Sequence, residues 1–140
     1  MKPMTEFIFP IEIYTEDTDF GGVVYHANYI KFMERARTTW AIKLGWRLDH
    51  LMQNDCFFVV RNVQVDFLYP ARLHDHLEVV TAIQKIGRTS ITFQQDIRFA
   101  DRREQWATKG TIVLVTINRQ GKPIELPTEV MQTLNSIEFS

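Results

Sequence analysis

A chain of 140 residues, 45% hydrophobic and 24% charged, falls in the usual size range of one globular domain, here taken as residues 1–140. A formal net charge of -1 excludes the broad electrostatic attraction on which nucleic-acid binders depend, and a single cysteine, Cys56, excludes an internal disulfide. No run approaches the roughly 18 uninterrupted apolar residues of a membrane-spanning helix, and Pro3, Glu6, Pro10 and Glu12 interrupt the apolar stretch at Phe7 to Phe9, so there is no secretory signal and a cytoplasmic location is expected.

From Glu6 to Glu16, Phe7, Phe9, Ile11 and Ile13 alternate with more polar positions, the two-residue period of a half-buried strand. That strand gives way to Asp17-Thr18-Asp19-Phe20-Gly21-Gly22, where acidic turn formers meet glycines that accept backbone conformations other residues resist. Tyr29, Phe32, Met33, Ala36, Trp40 and Leu44 then recur at intervals of three and four, which predicts one long helix ending at Gly45, with Lys43 in its last turn. Lys31, Glu34, Arg35 and Arg37 read as its solvated or partner-facing charges. A shorter helix is expected around Arg47 to Gln53.

Cys56 opens the apolar run Cys56-Phe57-Phe58-Val59-Val60 and reads as a buried structural thiol. Beyond it, alternation marks four strands, through Phe57, Val59, Arg61, Val63, Val65 and Phe67, then Leu77 to Ile83, Ile91 to Phe99, and Ile112 to Thr116. Tyr69-Pro70, Gly87-Arg88, the charged run Asp101-Arg102-Arg103-Glu104 and Gln120-Gly121 supply the turns, and a short helix is expected after Pro127. One strand, one apolar helix and four strands define an α+β layout whose economical form is a five-stranded antiparallel sheet curved around the helix. Two sheet edges and an incompletely covered face call for a second subunit, so a homo-oligomer is expected.

The stretch from Tyr14 to Tyr29, at the handover from strand to central helix, holds the candidate chemistry. Asp17 and Asp19 supply carboxylates, Gly21 and Gly22 allow close backbone approach, and the helix start offers unpaired amides at its positive dipole end. Hydrolysis of a thioester needs a group that delivers or becomes the nucleophile, and donors for the developing oxyanion; a carboxylate facing a helix N-terminus supplies both. The same residues also make plain Asx-turns and helix caps, so the pattern by itself leaves both readings open.

The segment Tyr14 to Tyr29 resembles the signature of the 4-hydroxybenzoyl-CoA thioesterase class of hotdog proteins. Extended through Lys31-Phe32-Met33-Glu34-Arg35-Ala36-Arg37, it looks like the Tol-Pal-associated acyl-CoA thioesterase branch, with similarity continuing through Phe58-Val59-Val60-Arg61 and Tyr69-Pro70-Ala71-Arg72-Leu73. The resemblance implies a hotdog fold and hydrolysis of acyl-CoA thioesters, with Asp19 as the catalytic carboxylate, acting by direct attack or by activating water. It implies a supporting role for Asp17, backbone amides around His26 and Ala27 that polarise the thioester carbonyl, and a pocket lined by Tyr25 and His26, with Phe20 and Tyr29 nearby as further substrate-binding candidates. His26 is accordingly grouped with Asp19 as catalytic. Bulky Phe20, Tyr25 and Tyr29 suggest short-to-medium or aromatic acyl groups. Phe20 stands where members often carry a smaller residue, and His74 where an acidic one is common.

Lys85, Arg88, Arg98, Arg102 and Arg103 are solvated charges or contacts for coenzyme A phosphates, Arg88 being the candidate because a guanidinium suits phosphate. His74 and His76 share a strand face, but a metal site needs further ligands, and none is expected; His50 reads as a surface residue. Gly21-Gly22 lacks the spacing of a nucleotide-phosphate loop, and no cofactor is implied. The competing functional class is a non-catalytic module that holds an acyl carrier protein or an envelope partner on the same fold. The family adds the expectation of a tetramer built from dimers.

Overall fold

The computed structural model describes residues 6–137. In chain order it contains β1 (Glu6–Glu12), a 3-10 turn at Thr15–Asp17, α1 (His26–Lys43), α2 (Leu48–Gln53), β2 (Phe57–Phe67), β3 (His76–Ile86), β4 (Ser90–Phe99), β5 (Arg102–Ile117) and α3 (Thr128–Asn135). The five strands form one antiparallel sheet in the order β1-β3-β4-β5-β2, wrapped around α1 in the expected hotdog arrangement.

α1 is held because its three- and four-residue spacing gives it one continuous apolar side. Tyr29, Phe32, Met33, Ala36, Trp40 and Ala41 are buried, as their recurrence requires. The helix stops where Gly45 takes a φ of 89°, a left-handed conformation that glycine adopts without Cβ strain, and the Trp46 amide returns to the Ala41 carbonyl. Opposite this face the sheet presents Leu77, Val79 and Ile83 from β3, Ile91, Phe93 and Ile97 from β4, and Ile112 from β5, while α3 adds Val130 and Leu134. Cys56 belongs to the same cluster, where burial pushes its thiol pKa up.

Two contacts set how closely the helix approaches the sheet. At Gly110 of β5 an added Cβ would lie 3.0 Å from Met33 Cε and 3.2 and 3.3 Å from the Gln95 and Gln64 carbonyl oxygens, so any side chain there would crowd Met33 and the neighbouring strands. Beside it, Gln95 of β4 is fully buried. Its Nε2 donates to the Met33 carbonyl and to Thr81 Oγ1, both at 2.9 Å, and its Oε1 accepts from Arg37 at 2.8 Å. The amide thereby meets its hydrogen-bonding needs and fixes the helix against two central strands.

Three local expectations change. β1 leaves the sheet after Glu12, paired with His76, rather than running to Glu16, because the Asp17 carboxylate draws the Tyr14 amide into the 3-10 turn. In β2 the register slips between Val60 and Asn62. A bulge shifts the alternation by one, so Phe58 faces the core together with Val63 and Val65, and Val59 is exposed. β5 begins at Arg102, inside the charged run read as a turn, because Phe99 already pairs with Arg102 across a two-residue hairpin.

The two sheet edges differ. β1 carries Pro10 on its edge, whereas β2 exposes Val59, Val60 and Phe67 and contains no proline. Gly110→Ala is expected to destabilise the protein by about 1–3 kcal/mol, the usual cost of overpacking a filled core, measured by urea unfolding. A variant as stable as the parent would show that Met33 and the sheet can make room for a methyl group here.

Candidate active site

The chain between β1 and α1 is a closed loop built by Asp17. Its side chain is buried and accepts the Tyr14 amide at 2.8 Å, while its main-chain oxygen accepts the Tyr25 amide and Asn28 Nδ2, both at 2.9 Å. One residue thus ties the loop entrance to the first turn of the helix, through one carboxylate oxygen and its carbonyl. Thr18 and Val24 pair as an isolated bridge, which sets their Cα atoms about 4.5–5.5 Å apart and places Asp19 opposite Val23, in the segment that leads into α1. The loop is also tied to the β2–β3 connection, through Val24 to the Ala71 carbonyl at 2.8 Å.

Asp19 closes the tip. Its Oδ1 accepts the Gly21 amide at 2.8 Å and the Val23 amide at 3.4 Å, and the turn is completed by the Asp19 amide on the Val23 carbonyl at 2.9 Å. Gly22 sits at a φ of 78°, which this turn requires and a side chain would strain. The residue is exposed, and Oδ2 has no partner among the described residues. The turn therefore orients the carboxylate and leaves one oxygen open. The plain Asx-turn and the candidate nucleophile or base are the same residue.

α1 begins without a side-chain cap and without an acidic residue in its first turn. The Asn28 amide returns to the Tyr25 carbonyl, whereas the His26 and Ala27 amides meet no acceptor among the described residues. Two N–H groups at the positive end of an 18-residue helix are thus open to an incoming oxygen. The His26 ring packs on Tyr25 at 4.6 Å and edge-on to Phe67 at 6.0 Å between centroids.

A cavity of about 190 Å³ lies beside this helix start, lined by Val24, His26, Tyr29, Phe67, Tyr69 and Ala107 among others. Tyr29 is buried, its Oη accepting the Ala71 amide at 3.1 Å, which leaves the hydroxyl proton to serve the cavity. Burial raises its phenol pKa above the ordinary value, so that proton is retained at neutral pH.

The sequence-predicted residues divide into three groups. Asp19, Tyr25, His26, Ala27 and Tyr29 gather around the loop and helix start. Phe20 does not join them: it is wholly exposed at the loop tip and lines no described cavity, because the Asp19 turn points the tip outward. Arg88 is also apart within the chain. It follows β3, whose 11 residues span roughly 36 Å from the His76 end beside the loop, and it pairs with Glu125 at 3.2 Å. Phe67, Tyr69 and the tie from Asn28 were missed, since nothing local marks a strand end or an asparagine as facing a helix start. Among the described residues no group of three or more His, Cys, Asp or Glu side chains could hold a metal ion, His74 and His76 included.

Comparison with known proteins gives these features a context. A family model described as "Thioesterase superfamily" matches residues 21–105. Acyl-CoA thioester hydrolase YbgC of Escherichia coli O157:H7 is 38% identical over 128 residues, covering 91% of this chain and 94% of the relative. Acyl-CoA thioesterase YbgC of Haemophilus influenzae is 34% identical over 134 residues, covering 94% and 96%. Among solved structures, a probable thioesterase from Bartonella henselae superposes with a TM-score of 0.77 at 32% identity, over 88% of this chain and 99% of the other. A 1,4-dihydroxy-2-naphthoyl-CoA thioesterase from Synechocystis shares the fold, with a TM-score of 0.88 at 21% identity, over 96% and 99%. The chain belongs to the thioesterase superfamily and is a thioester hydrolase.

Replacing Asn28 with alanine removes the side-chain tie to the Asp17 carbonyl. A loss of about 0.5–1.5 kcal/mol is expected, with faster amide exchange at Val24 and Tyr25 and unchanged protection at Ile97. Unaltered exchange at Val24 would mean that the loop is held without Asn28.

Proposed function

We propose that this protein hydrolyses acyl-CoA thioesters to free acid and coenzyme A, with Asp19 as the catalytic carboxylate. The observations that carry the reading are the oriented Asp19 carboxylate, one oxygen held and one open, and, at the helix into which its loop leads, the unaccepted His26 and Ala27 amides. A thioester carbonyl lodged on those amides has its developing negative charge stabilised by fixed dipoles that need no reorganisation. Asp19 Oδ2 then attacks the carbonyl carbon to give a mixed anhydride that water opens, or takes a proton from water as that water attacks. In both routes the C–S bond breaks, coenzyme A leaves as a thiolate that takes up a proton, and one water is consumed. The names of the YbgC relatives support acyl-CoA as the substrate class. A non-catalytic module for an acyl carrier protein or an envelope partner has no need of an open carboxylate beside open amides.

The finer parts of the proposal rest on the same site. His26 acts through its backbone amide, with its ring and those of Tyr25 and Tyr29 lining the acyl entry. The cavity of about 190 Å³ is smaller than the roughly 300–1,000 Å³ of drug-sized ligand pockets, which supports short-to-medium or aromatic acyl groups. Membership of the Tol-Pal-associated branch, a cytoplasmic location, a single domain over residues 1–140, and an acyl carrier protein as a second carrier belong to the reading. No helix among the described residues is long and apolar enough to cross a membrane. Arg88 meets coenzyme A phosphate only from another subunit's site, since its own chain holds it far from Asp19.

Asp19→Asn keeps the size of the side chain and removes its charge, so turnover of a panel of acyl-CoAs should fall at least ~100-fold with little change in affinity. Asp17→Asn should cost less, with His26→Ala between them, and the parent should favour short, medium or aromatic groups over long chains. Near-normal turnover by Asp19→Asn would remove its catalytic role.

A homodimer or tetramer is also proposed, supported by the open edge of β2. Light scattering at micromolar concentration should give two or four copies, and a monomer would refute it.

A further inference from the structure

Two arginines among the described residues are half-buried, Arg37 on α1 and Arg98 on β4. Arg98 is matched by Glu78, 3.0 Å away. Arg37 has no carboxylate within ion-pair distance among the described residues. It spends one N–H on neutral Gln95, at 2.8 Å, and five donors are available on a guanidinium. A charge withdrawn from water costs free energy unless an anion or several acceptors compensate it. Burial lowers the Arg37 pKa from the ordinary arginine value, with Glu34 opposing the shift weakly.

Arg37 also lines a cavity of about 200 Å³ separate from the one at the helix start. Its walls are mostly apolar and include Trp46, Phe58, Ile91, Phe93 and Leu114, with exposed Glu34 at the rim. Such a volume accepts one end of a ligand and not a whole coenzyme A ester. Arg37 follows His26 by eleven positions on α1, roughly 16 Å along the axis, so a thioester seated at the helix start could present to it only the far end of its acyl group. A planar fork of donors in an apolar cleft suits a carboxylate bound through two parallel hydrogen bonds.

We infer that Arg37 is a specificity residue that selects acyl groups ending in a carboxylate over apolar acyl groups of equal length. The inference rests on the proposal that the chain hydrolyses acyl-CoA thioesters and names a substrate class for it. Along α1 the thioester's carbonyl stays at one end while the distal carboxylate replaces the missing partner of Arg37. Gln95 holds the guanidinium in place, its own amide being locked by the Met33 carbonyl and Thr81.

The experiment compares kcat/KM for matched pairs, adipoyl- with hexanoyl-CoA, sebacoyl- with decanoyl-CoA, and dodecanedioyl- with lauroyl-CoA, in the parent, Arg37→Met and Arg37→Lys. The parent should prefer the carboxyl-ended ester at one length or more; Arg37→Met should cut that ratio at least ~10-fold, and Arg37→Lys should restore part of it. A purely structural arginine would lower both esters together and leave the ratio alone. An unchanged ratio in Arg37→Met overturns the inference, as does a change of association state without a change of ratio, which would assign the guanidinium to a second copy's carboxylate. Calorimetric titration of Asp19→Asn protein, with and without Arg37→Met, reads selectivity apart from turnover. Carboxylate preference in binding, lost with Arg37, alongside no hydrolysis by the parent would retain Arg37 and sink the hydrolase reading; equal binding of both esters would sink the Arg37 assignment.

Discussion

The packing of the Met33 side chain against Gly110 of β5, with Gln95 bound to the Met33 carbonyl, is the constraint from which the site follows. Gly110 gives up a side chain to admit Met33, and Gln95 ties the neighbouring helix carbonyl to the sheet. A helix held this way behaves as a rigid rod. From Met33 back to His26 is seven residues, roughly 10 Å, so contacts made in the middle of the core determine where the first amides emerge. Those amides are left without a cap, a choice that forgoes about 1 kcal/mol available to a capped helix. The buried side of α1 and the sheet beneath it carry the stability that the helix start gives up.

Two aspartates two positions apart have separated their tasks by burial. Asp17 is buried, with one carboxylate oxygen and its carbonyl closing the loop, and Asp19 is exposed, with one oxygen anchored and the other open to solvent. An unanchored carboxylate would sample several rotamers and present its open oxygen only part of the time. Gly22 makes the anchoring turn possible, because its φ of 78° is a left-handed conformation that a side chain would strain, while the Gly21 amide supplies the donor.

Much of this was legible in the sequence because the fold obeys period. The three- and four-residue spacing from Tyr29 to Trp40 and the alternation in β3 and β4 reflect surfaces buried on one side, and burial enforces the pattern. The alternation in β2 misled because a bulge inserts one residue and reverses every face before it, and a bulge leaves no signature in hydrophobicity. In the site, the residues of one contiguous segment were readable together. Phe67 and Tyr69, and the meeting of Arg37 with Gln95, depend on pairing across the sheet and were not. Phe20 was taken for a substrate-binding residue on proximity in sequence, whereas a turn separates neighbours as readily as it joins them.

The unlike edges of the sheet have a consequence for how copies can accumulate. On the β1 side Pro10 lacks an N–H and interrupts any ladder laid against it, and on the β2 side the ladder is open. Growth by edge pairing is therefore self-limiting: once two open edges have met across a twofold axis, every remaining edge is a proline-bearing one. A protein with two open edges would have no such stopping rule and could extend strand by strand into a fibre. One proline thus leaves the β2 edge as the side of the sheet free of a ladder-breaking residue.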